Sequence, residues 1–500
     1  MILFVFILFV RKEIKFMEQI TIKDIVQVTG GTLLCGDEKK SIREFSIDSR
    51  QGSEDSIFVP IIGERVDAHR FIENALKING ATFTSEHRAW DEDKPWLRLA
   101  EEEGEVKPWI AVEDTVEAMQ KVGTFYRNQL SLPVVAVTGS VGKTTTREMI
   151  ATALSAGKRV FQTEGNQNSQ IGVPLTLSHM TADHETAVLE IGMSERGQIE
   201  TLTRMIRPNI AVVTVIGVSH IAQLKSQENI CQEKMDIVKG LPEDGMVFLN
   251  GDDPFLSAYR GKLEKKTFFY GLGEECDYRA EEICYGDGQT RFFFCHGNLR
   301  LPVCLNTMGE HNVRNALAAL GVAHQTGVNL EKAAEKLCTF CGQRQQIIAG
   351  ERCTIIDDTY NASPDSMKAA INVLSSMKTE GKRIAALSDM LELGEEEKAY
   401  HYAVGKYIAG KNIDEVIVFG ELSREILRGI EENLASEVGE KKEQNSSSPK
   451  ITLLHVDTRE EMIQWLLSHV QPEDAVLLKA SNGMKLSEVS KALQAAKKEV

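Results

Sequence analysis

From Met17 onward, polar and apolar positions change in short runs. "MEQITIKDIVQVTGG" (17–31) opens an ordinary domain pattern, "SIFVPIIGE" (56–64) reads as a strand, and "AHRFIENALKINGA" (68–81) spaces its apolar residues as an amphipathic helix ending at Gly80. Residues 17–130 are therefore expected to form a small α/β domain. At "LPVVAVTG" (132–139) the rhythm changes. Continuous β-branched runs, "TAVLEIG" (186–192), "NIAVVTVIG" (209–217) and "GMVFLNGDD" (245–253), alternate with helical stretches, as buried parallel strands do beneath crossover helices. This predicts a doubly wound α/β domain over 131–327 that includes the helical "MGEHNVRNALAALGVAHQ" (308–325). The rhythm returns in "CTIIDDTYNASP" (353–364), "RIAALSDM" (383–390), "EVIVFG" (415–420), "ITLLHV" (451–456) and "DAVLLKASNG" (474–483), so 328–500 reads as a third, Rossmann-like α/β domain. "ASEVGEKKEQNSSSPK" (435–450) is polar and of low complexity and reads as a surface loop.

Composition narrows the class. Five hundred residues, 42% hydrophobic and 26% charged, suit a soluble globular protein of about three domains. The net charge of -16, with no basic stripe, speaks against nucleic-acid binding, so any anion must be held by a local site. Nine scattered cysteines fit a reducing cytoplasm. Cys338 and Cys341 form a CxxC without the second pair or histidine that a zinc site needs, and the spacing reads as incidental. "MILFVFILFV" is about half the length that spans a bilayer and is followed, not preceded, by charge. Residues 1–16 read as a dispensable extension or a weakly membrane-associating segment; no stable insertion is expected, and a monomer is.

"TGSVGKTT" (138–145) is the first candidate for chemistry. A glycine, lysine and threonine triplet arises by chance, but here it sits between the strand Pro133–Val137 and the helical "KTTTREMIATALSAG" (143–157). In that order Thr138, Gly139, Ser140, Val141, Gly142, Lys143, Thr144 and Thr145 would surround nucleotide phosphates with amide groups and a helix N-terminus. Lys143 would neutralise the terminal phosphates and the Thr144 hydroxyl would face Mg²⁺. The first glycine of the longer GxxxxGK[ST] pattern is replaced by Val137, so the loop is a shortened form. No guanine-reading NKxD motif follows, which leaves ATP as the nucleotide.

Taken in order, "TGSVGKTT", "EGNQNSQIGVPLT" (164–176), "LEIGMSERGQI" (189–199), "IGVSHI" (216–221), "EHNVRNALAA" (310–319), "IDDTYNASPDSM" (356–367), "SDMLELG" (388–394) and "VLLKASNGMK" (476–485) resemble the Mur ligase family of ATP-dependent amide-forming enzymes. The likeness covers essentially everything after Met17. Within the family, "DSRQGSEDSIFVPIIGERVDAHRFIENALKINGA" (48–81) and "IDDTYNASPDSM" are most similar to the type that joins D-alanyl-D-alanine to UDP-N-acetylmuramoyl-tripeptide, and the DNPR motif of the diaminopimelate-adding type is absent. The resemblance implies a cytoplasmic enzyme whose three domains hold the UDP-sugar, ATP and the incoming amine, with the third closing for reaction. It also implies activation of the tripeptide carboxylate as an acyl phosphate, followed by attack of the dipeptide amine.

Several residues carry two readings. Glu190, ending "TAVLEIG", lies at the strand edge where open α/β sheets take ligands; the resemblance makes it a Mg²⁺ ligand beside Thr144. His220 alone reads as a loop-capping histidine, and by resemblance as a ligand of a second Mg²⁺. Lys234 alone reads as a solvated lysine. By resemblance it is carbamylated by CO₂ and supports the second metal, which requires a depressed pKa because only the neutral amine reacts. His311 and Asn312, with Asn315 in support, are a helix N-terminus or adenine contacts; Arg344 is a surface ion-pair partner or a phosphate contact; Asp358 is a strand-end cap or a ribose contact. Ser49, Arg50, Asp67 and His69 suit an exposed loop or the UDP-sugar site. Asn166 and Asn168 suit turns or the tripeptide end of that site, while Tyr360 and Asn361 suit turns or the dipeptide site.

The chain departs from the family pattern at Ser169, where a second consecutive asparagine is usual, at Ser388, where glycine is usual before "DM", and at Ala480 and Asn482, where KASNG replaces KGSRG. These fall at the amine end rather than in the ATP machinery. Two competing readings are a related ligase with a different acceptor or amine, and a membrane-associated regulatory ATPase that turns over ATP without forming an amide.

Overall fold

The computed structural model describes residues 17, 20–89, 106–286, 288–342, 344–440 and 451–496; the segment 1–16 and the stretch 441–450 of the expected loop lie outside the described residues. By packing the chain divides into two units, the described part of 1–133 with Thr163–Ala187, and Val134–Gln162 with the described part of 188–500.

The first unit is built on a five-stranded sheet in the order Thr32–Cys35, Trp109–Val112, Ala81–Ser85, Ser56–Phe58, Glu44–Ser46. The last four are parallel and Thr32–Cys35 is antiparallel to its neighbour. Helix Thr115–Gln129 starts where the Asp114 carboxylate accepts the N–H groups of Val116 and Glu117, both at 2.8 Å. It buries Met119, Val122 and Tyr126 against Ile57, Phe83 and Ile110. Thr163–Ala187 joins this unit, with the Tyr126 hydroxyl donating to Met180 O at 2.6 Å. The helix expected over 68–81 is interrupted. A single 3₁₀ turn, Ala68–Phe71, leads into the short helix Ile72–Leu76, after which the Asn79 side chain donates to Ala75 O at 2.9 Å.

In the second unit a nine-stranded sheet places Val134–Thr138 between Ile210–Val213 and Thr186–Glu190. On one side of it the later strands run outward in sequence order from Ile210–Val213, and on the other Thr186–Glu190 lies next to it with Val160–Gln162 at the edge; the chain thus leaves this strand in both directions, which makes its end a switch point where open sheets take ligands. The expected winding gains an extension the apolar runs did not announce. Tyr278–Gly286, Gln289–His296 and Leu299–Leu305 continue the sheet as antiparallel hairpins. Gly288 (φ 72°) and Gly297 (φ 54°) provide the left-handed turns, and Tyr278, Phe292 and Phe294 face the core. A six-stranded sheet follows in the order Gln346–Ala349, Thr354–Asp358, Ala475–Lys479, Arg383–Ser388, Glu415–Phe419, Thr452–Val456, parallel except for its first hairpin. Its five parallel strands are those expected from the sequence. Among the described residues no helix is long and apolar enough to cross a membrane.

His401, on helix Glu397–Ala409, is fully buried; its Nδ1 donates to Glu397 O at 2.7 Å and its Nε2 accepts the Met390 N–H at 2.9 Å. Both bonds suit the neutral ring, and burial holds its pKa below the ordinary 6.5. The unfolded chain therefore takes up this proton first, so stability should fall as pH drops below about 6.5, with no contribution above it. His401→Gln is expected to flatten that slope, checked by urea unfolding at about pH 7.5 and about pH 5.5.

Candidate active site

The phosphate loop follows from steric necessity. Gly139 has φ 149°, and a Cβ there would lie 1.8 Å from Thr214 Oγ1. Gly142, at φ 86°, starts helix Lys143–Leu154, whose first amides no side chain caps. Neighbouring elements pin the loop: Ser140 N–H donates to Val215 O at 2.8 Å, Thr214 Oγ1 to Val141 O at 2.5 Å, and Thr146 Oγ1 to Asn315 Oδ1 at 2.9 Å. Thr138 Oγ1 is buried without a hydrogen-bond partner. Lys143 Nζ donates to Gly139 O at 2.8 Å and to Ser140 O at 3.4 Å.

Five further ionisable groups interact with this lysine or with one another. Glu190, 2% exposed, ends its strand beside the loop strand, and Ile191 N–H donates to Val137 O at 2.9 Å. Burial lowers the Lys143 pKa, with Glu190 opposing and Arg344 adding to the fall. Lys234, 1% exposed on helix Gln227–Met235, is held well below the ordinary lysine range by burial and then by Lys143, against the pull of Glu233. Burial, Lys234 and Lys143 bring His220 down to about 4, so its ring is neutral at neutral pH. Glu233 in turn accepts the N–H groups of Gly197 (2.8 Å) and Ile199 (3.0 Å), tying the Lys234 helix to the start of helix Gln198–Ile206.

The six-stranded sheet contributes to the same place. Arg344 Nη2 donates to Thr144 Oγ1 at 3.5 Å, and its guanidinium lies 3.5 Å over the Tyr360 ring. His311 Nε2 donates to Gln345 Oε1 at 2.9 Å, and Asn312 Nδ2 reaches Thr307 Oγ1 and Met308 O, each at 2.9 Å, with Gln345 Oε1 at 3.3 Å. Asp358 Oδ2 accepts from Lys479 Nζ at 2.6 Å, and that amine also donates to Asn361 O at 3.0 Å. The structure thus gathers Lys143, Glu190, His220, Lys234 and Arg344 with the loop, and His311, Asn312 and Asn315 on the adjoining helix Glu310–Gln325. Three residues here were not singled out as site residues by the sequence: Thr214, Gln345 and Lys479, the last although it lies within "VLLKASNGMK". Lys479 had one signal, a charged residue ending the apolar run "AVLL".

The residues expected at the UDP-sugar end lie in the other unit, with Ser49, Arg50, Asp67 and His69 in the segments that follow the parallel strands Glu44–Ser46 and Ser56–Phe58. Arg50 is exposed and pairs with Asp48 at 2.8 Å, and Ser49 lies between them. His69 turns inward. Its Nε2 accepts the Ser85 N–H at 3.1 Å and its Nδ1 donates to Asp67 at 2.7 Å, so it braces the loop instead of lining an exposed one. Asn166 and Asn168 share a turn, Asn168 N–H donating to Asn166 O at 2.7 Å.

The departures have local accounts. Ser169 Oγ accepts the Gly172 N–H at 3.2 Å at the start of helix Gly172–Ser178, buried Ser388 donates to Phe419 O, Ala480 is packed in the core, and Asn482 is exposed. Cys338 and Cys341 are free thiols: burial and then the neighbouring Cys304 push the Cys338 thiol up, and Cys341 is exposed. Among the described residues no three His, Cys, Asp or Glu side chains form a ready metal cluster.

Known proteins share this arrangement. The family model described as Mur ligase middle domain matches residues 137–323, and that described as Mur ligase, glutamate ligase domain matches 343–482. UDP-N-acetylmuramoyl-tripeptide–D-alanyl-D-alanine ligase of Bacillus subtilis is 36% identical over 480 residues, covering 95% of this chain and 98% of that one. The crystal structure of MurF from Acinetobacter baumannii superposes with a TM-score of 0.82 at 26% identity, covering 95% and 99%. MurF from Thermotoga maritima in complex with ADP gives 0.75 at 28%, covering 90% and 97%.

Proposed function

Because this chain belongs to the Mur ligase family, we propose that it is the ATP-dependent ligase that joins D-alanyl-D-alanine to UDP-N-acetylmuramoyl-tripeptide in cytoplasmic peptidoglycan precursor synthesis. The observation that carries the reading is Arg344 reaching Thr144 from the six-stranded sheet, which puts the phosphate loop and the Tyr360–Asn361 turn within one site.

The carboxylate of the tripeptide attacks the γ-phosphorus of ATP, ADP leaves, and an acyl phosphate forms. The dipeptide amine then attacks the acyl carbon, inorganic phosphate leaves, and the amine loses a proton as the amide forms. The first step brings a carboxylate against a triphosphate, so fixed positive charge is its main requirement. Loop amides from Thr138 to Thr145 and the Lys143 ammonium hold the phosphates, and Arg344 adds charge from the other side. His311, Asn312 and Asn315 frame the adenine, and Asp358, held by Lys479, faces the ribose. Tyr360 and Asn361 frame the dipeptide. Ser49, Arg50 and Asp67 hold the UDP-sugar with His69 bracing their loop, and Asn166 and Asn168 belong to the tripeptide end.

The donor set fits Mg²⁺: a hydroxyl from Thr144 and a buried carboxylate from Glu190, with the neutral His220 imidazole able to coordinate. Mg²⁺ bound there would screen the triphosphate and polarise its γ-phosphate. Lys234, buried and with its pKa held well below the ordinary lysine range, is suited to accept CO₂ as a carbamate for the second metal.

The reading is tested by following phosphate release with Mg·ATP and UDP-N-acetylmuramoyl-tripeptide while D-alanyl-D-alanine, D-glutamate, L-lysine or meso-diaminopimelate is added separately, with product mass measured. Turnover with the dipeptide alone is expected. Turnover with another amine, or phosphate release without a new amide, would overturn the substrate assignment.

A further inference from the structure

The segment that carries His220 is under backbone strain. Ile221–Leu224 is a helix of four residues bounded by two non-glycine residues in the left-handed region, His220 at φ 65° and Lys225 at φ 72°. Such conformations persist where the surroundings impose them. Here the surroundings act from two sides. On the nine-stranded sheet, the hydroxyl of Ser140 in the phosphate loop donates to Gly217 O at 3.4 Å, and Ser219 Oγ donates to Ser140 O at 3.5 Å. On the six-stranded sheet, Val218 is buried in the cluster of Ile371, Leu374, Met390 and Leu393, and Ile221 packs against it. A Cβ on Gly217 would lie 2.5 Å from Asp365 Oδ2, and one on Gly394, itself at φ 69°, would lie 3.2 Å from both Cα and Cβ of Ala222. Glycine lets the two sides approach this closely.

We propose that Ile221–Leu224 is a latch through which the six-stranded sheet sets the place of His220, making Val218, Ala222 and Gly394 positioning residues for phosphoryl transfer. This rests on the role given to His220 above. The sheet that offers Arg344 and the Tyr360–Asn361 turn also presses 217–224 into the conformation that keeps His220 beside Lys143 and Lys234. One docking event then completes both ends of the site, and a relaxed segment would leave His220 misplaced with the phosphate loop intact.

The test compares Gly394→Ala, Ala222→Gly, the double variant and His220→Ala in the full chain. Gly394→Ala is expected to lower kcat for amide formation about tenfold or more at saturating ATP, while Ala222→Gly in the same chain recovers about threefold or more. ADP affinity, measured by calorimetry, should stay at the wild-type value in every Gly394 and Ala222 variant, because the phosphate loop keeps its own contacts. Wild-type kcat in Gly394→Ala, no recovery in the double variant, or a loss of ADP affinity in step with kcat would overturn the latch. Failure of the underlying reading looks different: His220→Ala would then remain active.

Discussion

Lys143→Ala is expected to lower kcat for phosphate release and amide formation by about 10³-fold, with a much smaller loss of ADP affinity. Its ammonium is held within the loop by Gly139 O and Ser140 O, and it shares the site with Glu190 and Arg344. Negative charge is already concentrated when the substrate carboxylate approaches the triphosphate, and it shifts toward the leaving oxygens as ADP departs. A cation fixed in advance stabilises that shift without reorganising, so its loss falls on the transition state more than on bound nucleotide. Removing it also leaves Glu190 facing the phosphates with one counter-charge fewer. Stability should change little, since the hydrogen bonds given up are to two loop carbonyls and the neighbouring charges, Glu190 and Arg344, act on the amine in opposite senses. Steady-state phosphate release with calorimetric ADP binding separates the two effects, and wild-type turnover in the variant would remove Lys143 from the mechanism.

The same loop shows what kind of information a single sequence holds. Its signature is local, an apolar strand, two glycines and a helix beginning at Lys143, although what forces Gly139 is the distant Thr214. The five parallel strands of the last third were equally legible because each is a mostly apolar run closed by glycine or a polar residue: Asp357, Ser388, Gly420, Asp457 or Lys479. What failed to show was long-range or depended on a distant donor. Lys479 meets Asp358 across 121 positions and Gln345 meets His311 across 34, so neither has a local signature. His69 has the composition of an exposed binding loop, yet the Ser85 N–H, 16 residues on, draws its ring inward. The hairpins after Tyr278 depend on glycine turns at 288 and 297 and on pairing with the preceding strand, which apolar runs alone do not specify. The helix over 68–81 had the right period, but Asp67 caps His69 into a 3₁₀ turn first. The candidate site was thus readable in its strand-loop-helix half and not in the bonds that hold its two sheets together.

Lys234 carries the second large effect, and here stability and activity should move apart. A lysine that is 1% exposed, with another lysine among the groups acting on it, is costly to keep in a folded protein. Lys234→Met keeps the buried volume and removes the amine, so thermal unfolding should occur at or above the wild-type midpoint. Turnover in the same variant should fall about 10²-fold or more if Lys234 has the role proposed for it, because the support proposed for a second metal goes with it. A residue whose removal helps the fold and harms the reaction is kept for the reaction. Two further measurements separate a carbamate from a plain amine. Lys234→Ala leaves room for a small carboxylate, and added acetate or formate should restore part of its activity. In the wild type, stripping CO₂ should lower turnover and bicarbonate should restore it, with a carbamate carbon visible by NMR after labelling with ¹³CO₂. The carbamate forms only from the neutral amine, so acidification should remove it and activity should fall reversibly toward low pH, not toward high pH. Full activity in Lys234→Ala without rescue would eliminate the role, and wild-type activity with no carbamate signal would leave Lys234 acting through its amine alone.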